Sequence, residues 1–256
     1  MSKKHIEEIR KLLWKDKKVY VNDLSELFAV SKVSIRKYLA ALEHEGVAAR
    51  FYGGASLTEA ASTASDTEGI YSDPLLLSLA AAARARIADG DSIFIGSGRF
   101  CCVLARELTG YRNLSVVTNN ITALPDLIRN ASRVYLVGGE VTSTDSRTLF
   151  SSWETPQSLL GSIYVNKAFT STSGIDLRAG LTVDSVISTY IFKHIPAMAH
   201  HWYLAADASK YDKIAMYPVA GLEKIGSLIT DALPPRYARR LEELHVEVIL
   251  AEAMPH

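Results

Sequence analysis

Three cationic side chains near the N terminus, Lys32, Arg36 and Lys37, lie outside the apolar stripe of a predicted helix. No acidic residue accompanies them between Ser31 and Glu43. Lys and Arg side chains without neighbouring acids are suited to contact phosphate groups, and arginine can also hydrogen-bond base edges. The spacing therefore predicts a helix that binds a polyanion.

The other face of this helix carries apolar residues at the spacing of a helix packed on a core. We expect Ser31 to cap its N terminus and Gly46 to end it in the left-handed conformation. The predicted buried stripe consists of Ile35, Tyr38, Leu39 and Leu42.

Two further helices are predicted upstream, one over Lys3 to Asp16 and one capped by Asn22. A three-residue turn leads into the cationic helix, and two short extended pieces follow it around a Gly53-Gly54 turn. This order is typical of a winged helix-turn-helix, whose last helix enters the DNA major groove while the β-ribbon contacts the flanking backbone.

The predicted partner of this module is a double-stranded DNA operator. The alternative is a three-helix bundle whose charged face is only solvated. The residues expected to contact DNA are Lys32, Val33, Ser34, Arg36 and Lys37 on the helix, and Arg50 and Tyr52 on the wing.

Charge is divided unevenly along the chain. Residues 1–57 hold eleven Lys/Arg against seven Asp/Glu, whereas the remainder holds seventeen against twenty-one. We therefore predict a small basic domain at 1–57, a polar linker at 58–73 and a larger acidic domain at 74–256. No apolar run approaches the roughly 18 residues of a transmembrane helix, so no membrane partner is expected. The two cysteines are adjacent, which excludes a disulfide framework and indicates a cytoplasmic protein.

The larger domain alternates short apolar runs with helical patterns, which is typical of an α/β domain with a buried, largely parallel sheet. The predicted strands are 91–95, 114–118, 133–137, 167–172, 202–207, 227–230 and 246–250.

Small and polar residues follow five of these strands. In such sheets ligands bind beyond the carboxyl ends of the strands, where backbone N–H groups and helix dipoles favour anions. A phosphate or polyhydroxy ligand fits this rim, although each turn taken alone is as consistent with a tight turn or a helix cap. The predicted effector-binding residues are Ser97, Gly98, Arg99, Phe100, Thr118, Asn119, Gly138, Gly139, Thr172, Ser173, Gly174, Asp207 and Lys210.

Several short motifs carry a family resemblance. Residues 19–55 keep Val30-Ser31, Ile35-Arg36, Leu42-Glu43, Gly46, Arg50 and Gly53-Gly54-Ala55. They resemble the N-terminal domain of DeoR-family bacterial transcription regulators, with Ser34, Lys37 and Tyr38 in place of that family's Thr, Arg and Asp. The resemblance implies DNA binding, and repression of a carbohydrate operon.

The larger domain resembles the DeoR C-terminal sensor domain, which is related in fold to ribose-5-phosphate isomerase. The matching motifs are Thr118-Asn119, Gly138-Gly139, Gly174-Ile175, Gly180-Leu181-Thr182 and Asp207-x-Ser209-Lys210-Tyr211. The resemblance implies a Rossmann-like α/β sensor of phosphorylated sugars. Gly96 and Ser173 stand where the family pattern has acids. Leu76 lies at or near the position of the family's lysine, and Arg99-Phe100 replace residues that carry hydroxyl groups in the family.

These departures leave three hypotheses. We expect a ligand-controlled regulator, homo-oligomeric because one winged helix covers about half an operator. In it, Arg99 would bind the phosphate or carboxylate of the effector, although it could instead fill the pocket or pair with Asp207. A sensor domain that only oligomerises is the second hypothesis. An isomerase is the third, and only Asp207 and Lys210 could serve it. No catalytic residue, metal site or cofactor is predicted.

Overall fold

The computed structural model describes residues 3–58, 69–138, 140–142, 150–152 and 163–252. The chain divides into two compact units, Met1–Gly69 and Ile70–His256. Within the described residues, no helix has both the length and the apolar character needed to cross a membrane.

The first unit combines three helices with a small antiparallel sheet in the order β1–β3–β2. The β2–β3 ribbon and all three helices were predicted, whereas β1 was not. The elements are α1 (Lys3–Asp16), β1 (Lys18–Tyr20), α2 (Val21–Phe28), α3 (Lys32–His44), β2 (Ala48–Phe51) and β3 (Gly54–Leu57).

Local capping explains where α3 begins and ends. The Ser31 hydroxyl accepts a hydrogen bond from the Ser34 backbone N–H at 3.3 Å, and Gly46 has φ +76°, so both predictions are confirmed. The predicted Asn22 cap of α2 is wrong. Strand β1 runs directly into α2, and the Val21 N–H bonds to the Gly53 carbonyl at 2.9 Å, so the helix starts before Asn22.

The core of this unit lies where the helical periodicity predicts it. The four residues of the predicted stripe on α3 are all buried, and Ile9 and Leu13 of α1 pack against them. Tyr38 is only 8% exposed, and its ring lies 5.9 Å from that of His5. The α3 backbone is thus fixed with its cationic side chains on the outer face.

The second unit is built on a seven-stranded parallel sheet in the order β15–β14–β12–β9–β4–β5–β6. Each of its strands overlaps one of the seven predicted apolar runs. The strands are β4 (Ser92–Ile95), β5 (Ser115–Thr118), β6 (Arg133–Leu136), β9 (Val165–Ser171), β12 (Ala199–Ala205), β14 (Ser227–Thr230) and β15 (Glu247–Leu250).

Helices cover this sheet and close its two hydrophobic cores. They are α4 (Pro74–Arg84), α5 (Arg99–Glu107), α6 (Leu124–Asn130), α7 (Val186–Met198) and α8 (Pro235–Glu243). The Asp73 carboxylate caps α4 by accepting from the Leu75 N–H at 3.0 Å. Ile70 is buried in the same core, so packing begins several residues before Pro74, earlier than the predicted linker end.

The sequence did not predict two antiparallel additions. Strands β7 (Glu140–Thr142) and β8 (Phe150–Ser152) pair with each other. Strands β10 (Gly174–Asp176), β11 (Gly180–Val183) and β13 (Tyr217–Ala220) form a three-stranded sheet. The turn after β9 and the segment before β13 are held together by this small sheet.

Candidate DNA-binding surface and effector cavity

The outer face of α3 carries uncompensated positive charge. Lys32, Arg36 and Lys37 are exposed, and none of them forms an ion pair with any residue that the structure describes. Because no described acidic side chain neutralises these cations, each of them can pair with a phosphate of a DNA backbone.

Ser34 lies in the first turn of α3, as predicted. Its hydroxyl lies 3.1 Å from the Ser31 hydroxyl, and its backbone N–H donates to the same oxygen. The side chain thus takes part in the N-cap of α3.

Arg50 of β2 is held by the end of α3. Its Nε donates to Glu43 Oε2 at 2.6 Å, and its backbone N–H donates to Glu43 Oε1 at 3.2 Å. The hydrogen bond from the Arg50 side chain lowers the pKa of Glu43 below its usual value. Arg50 therefore ties the wing to α3 through its Nε and its backbone N–H, while its side chain is 45% exposed.

The wing tip carries a fully exposed aromatic side chain, Tyr52. It is followed by Gly53, whose φ of +91° makes the tight turn between β2 and β3. Beside it, Phe51 packs edge-on against Tyr20 of β1 at 5.8 Å between ring centroids, which holds the tip end of the ribbon against β1.

A cavity of about 720 Å³ opens beyond the carboxyl ends of β4, β9 and β12. This is the edge of the sheet where the sequence placed a ligand. Eight of the predicted effector-binding residues line it: Ser97, Gly98, Arg99, Phe100, Thr172, Ser173, Asp207 and Lys210.

The turn from β4 into α5 requires its glycines. Gly98 has φ +106°, and a Cβ there would lie 2.8 Å from the Ser171 hydroxyl. This close approach brings the backbone of the turn against β9 and makes Arg99 the first residue of α5. The exposed Arg99 guanidinium is thereby placed on the cavity wall at the positive end of a helix.

Asp207 and Lys210 flank a short 3₁₀ turn after β12. The Asp207 carboxylate accepts from the Ser209 N–H at 2.8 Å and so caps this turn. Among the described residues Asp207 forms no ion pair with Lys210.

The cavity wall also includes charged residues that the sequence did not predict as ligand-binding. Asp212 and Lys213 lie in the segment that leads into β13, and Asp184 directly follows β11. Asp212 pairs with Arg236 and accepts from the Tyr237 hydroxyl at 2.8 Å. No local motif marks these residues, because an antiparallel sheet between distant segments brings them to the cavity.

The remaining predicted effector-binding residues do not line the cavity. Thr118 is buried, donates to the Ile95 carbonyl at 2.6 Å and accepts from the Asn120 N–H at 3.0 Å, so it stabilises the strand end. Asn119 is buried in the same turn. Gly174 is buried, and a Cβ at this position would lie 2.3 Å from the Lys213 carbonyl oxygen, so close packing against the backbone explains the glycine.

Of the glycine pair after β6, Gly138 is exposed and is not among the residues that line the cavity, whereas Gly139 lies outside the described residues. A strand end can face the ligand edge while its side chains bond inward.

Two family descriptions match the chain. The DeoR-like helix-turn-helix domain matches residues 6–61, and the DeoR C terminal sensor domain matches residues 77–232. The chain belongs to the DeoR family. It is a DNA-binding transcription regulator, with a helix-turn-helix unit followed by a parallel α/β sensor unit.

Relatives of this regulator are named as transcriptional repressors or regulators. The lactose phosphotransferase system repressor of Staphylococcus epidermidis is 31% identical over 95% of this chain and 97% of its own length. The putative aga operon transcriptional repressor of Escherichia coli O157:H7 is 26% identical over 95% and 92%. The transcriptional regulator IolR of Bacillus subtilis is 27% identical over 96% and 98%.

Solved structures similar to the sensor fold include a D-ribose-5-phosphate isomerase bound to phospho-erythronic acid. It is 15% identical, with a TM-score of 0.38 over 53% of this chain and 52% of that chain. The likeness concerns the fold alone.

Proposed function

We propose that this regulator represses a carbohydrate uptake or catabolism operon and that a phosphorylated sugar, or a related small anionic metabolite, controls it. In this proposal α3 binds the operator and the sensor cavity binds the effector. The relatives named as repressors of lactose phosphotransferase and aga operons support the choice of target.

The observation that carries the DNA contact is the exposed face of α3. Three cations there have no acidic partner among the residues that the structure describes, while the opposite face is buried in the core. In this proposal the N-terminal half of α3 enters the major groove, and Tyr52 and Arg50 of the wing contact the flanking backbone. One head covers about half an operator, so the regulator is expected to bind as a homo-oligomer.

A gel shift tests this proposal with duplexes from the promoters nearest the gene. Replacing Arg36 and Lys37 together by Gln removes two phosphate or base contacts per head, and we expect affinity to fall about 100-fold. The matched control replaces Lys11 and Lys15 of α1 by Gln, which removes the same charge from another exposed face. Equal losses in both variants would mean that net charge alone drives binding.

The cavity supports an effector with an anionic group and several hydroxyls. Arg99, Lys210 and Lys213 can bind phosphate, and arginine can do so bidentately. The hydroxyls of Ser97 and Ser173, with nearby carboxylates, can hydrogen-bond a polyol. A cavity of about 720 Å³ is within the usual range for a small-metabolite site.

Calorimetry with a panel of sugar phosphates and their unphosphorylated sugars tests the effector class. We expect heat of binding only with phosphorylated compounds, and release of bound DNA by the same compounds. An effector can change the affinity for DNA only as far as it binds one conformation of the regulator more tightly than another. Binding of the free sugar as tightly as its phosphate would overturn the anionic-effector proposal.

A second candidate is a regulator whose sensor unit only oligomerises. Gly96 and Ser173 occupy positions where the family pattern has acids, which favours this alternative. It predicts no heat with any compound of the panel while DNA binding remains intact. Isomerase chemistry finds less support, because the Asp207 carboxylate caps a backbone turn.

A further inference from the structure

We infer that Val33 reads the 5-methyl group of a thymine in the operator, an inference that rests on the proposed binding of α3 to DNA. Val33 is the second residue of α3 and is 60% exposed. It would give the regulator a specificity contact that its cations alone cannot provide.

The direction of the Val33 side chain follows from helix geometry. At about 100° per residue, Val33 lies about 180° from Leu42, which is fully buried. It shares the outer face with Arg36 and Lys37, three and four residues further along. Val33 therefore points at whatever α3 docks against.

No structural role within the unit accounts for this valine. The apolar residue that packs at the start of α3 is Val30, which contacts the core cluster containing Ile35. Val33 is not among the residues packed on that cluster. A β-branched side chain is also a poorer helix former than Ala, Lys or Glu, so solvated helix surface does not favour it.

The major groove presents one methyl group, that of thymine, besides the smaller C–H edges of the bases. The remaining groups on the base edges donate or accept hydrogen bonds, and a valine side chain can do neither. Within α3, which is described throughout, Val33 is the one large apolar side chain outside the buried stripe. If the cations of α3 bind the phosphates, Val33 faces the base edges, where the thymine methyl group is its best partner.

The test begins with the full-length protein and a pool of duplexes randomised over about 30 base pairs. Each thymine of the selected site is then replaced singly by deoxyuridine, which keeps base pairing and removes only the methyl group. We expect the wild-type protein to lose about fourfold in affinity at one thymine per half-site, the value of one buried methyl group. Replacing both symmetric thymines should multiply the losses.

Val33→Ala should weaken binding to the thymine site and make the protein indifferent to deoxyuridine at that position. Val33→Ile should keep the discrimination. The control is Leu27→Ala, which removes another exposed apolar side chain of the same unit, 64% exposed on α2, and should leave the thymine-to-deoxyuridine ratio unchanged.

The outcomes separate this inference from the proposed function. A wild-type protein insensitive to every deoxyuridine, or a Val33→Ala variant as sensitive as wild type, would overturn the thymine contact while DNA binding stands. Selection of no sequence at all would overturn DNA recognition by α3, and the thymine contact with it.

Discussion

The cations of α3 and the cations of the sensor cavity have opposite surroundings. On α3 they lack acidic partners among the described residues. In the cavity, positive and negative side chains share one wall: Arg99, Lys210 and Lys213 with Asp184, Asp207 and Asp212. The first arrangement suits a polyanion with evenly spaced charge, and the second suits a small ligand with both anionic and hydroxyl groups.

A third group of charges in the sensor unit is already paired. At the amino ends of the strands, Lys167 binds Asp91, and Arg86 contacts Glu247 at 3.3 Å. The carboxylate of Glu247 also accepts from the Ser227 hydroxyl at 2.7 Å. One edge of the sheet is thus held by ion pairs, while charged residues beyond the opposite edge line the cavity.

The largest effect on stability should come from breaking the paired edge. Lys167→Met removes the ion-pair partner of Asp91, which is 13% exposed, and leaves that carboxylate partly buried with the Ala88 N–H, at 2.8 Å, as a neutral hydrogen-bond donor. We expect the free energy of unfolding to fall by about 3 kcal/mol in chemical denaturation. Lys193→Met, on the exposed face of α7, is the control and should change it by less than about 0.5 kcal/mol.

The next effect concerns the open edge. Arg99→Ala should lower the affinity for a phosphorylated effector about 30-fold by calorimetry, because a charge-assisted contact is lost. Arg99→Lys should recover only part of it, since lysine lacks the planar fork. Arg239→Ala, on the exposed part of α8, should change nothing. Unchanged affinity in Arg99→Ala would show that Arg99 does not bind the anion.

A smaller effect is expected where the wing meets α3. Glu43→Gln weakens the link to Arg50, so the wing should become less well positioned and operator affinity should fall about fivefold. Arg10, which pairs with Glu45 at 2.6 Å in the same unit, provides the comparison. If Glu45→Gln costs as much DNA affinity as Glu43→Gln, the link to the wing has no special part in binding.

The smallest effect is a pH dependence at the paired edge. Burial lowers the pKa of His201, whose Nε2 lies 2.8 Å from the Ser227 hydroxyl, with Glu247, His200 and Lys167 nearby. Because the unfolded chain then takes up this proton more readily, stability should be lost as pH falls below about 6.5. We expect His201→Gln to reduce the slope of the free energy of unfolding against pH, measured by denaturation from pH 5 to 8. The reduction should correspond to less than one bound proton.

The sequence predicted a region well where the contacts that build it join residues close together in the chain. The buried stripe and outer face of α3 depend on residues three and four apart, so periodicity was sufficient. The seven sheet strands were each marked by a short apolar run. Strand β1 was missed because three residues directly before a helix show no usable period.

The cavity was only partly predictable for the same reason. Arg99 and Asp207 follow strand ends, so the rule for parallel sheets found them. Lys213 and Asp212 reach the wall through the pairing of β11 with β13, which no local pattern reports. Thr118 has the right position along the chain, yet its hydroxyl bonds back to Ile95.

The salt dependence of operator binding tests the role of the α3 face most directly. For a dimer, replacing Arg36 and Lys37 by Gln in both heads removes four cations. The slope of log affinity against log salt should then fall by about 3.6, if each cation neutralises one phosphate. Identical slopes for the wild-type and double-variant proteins would contradict DNA binding through this face.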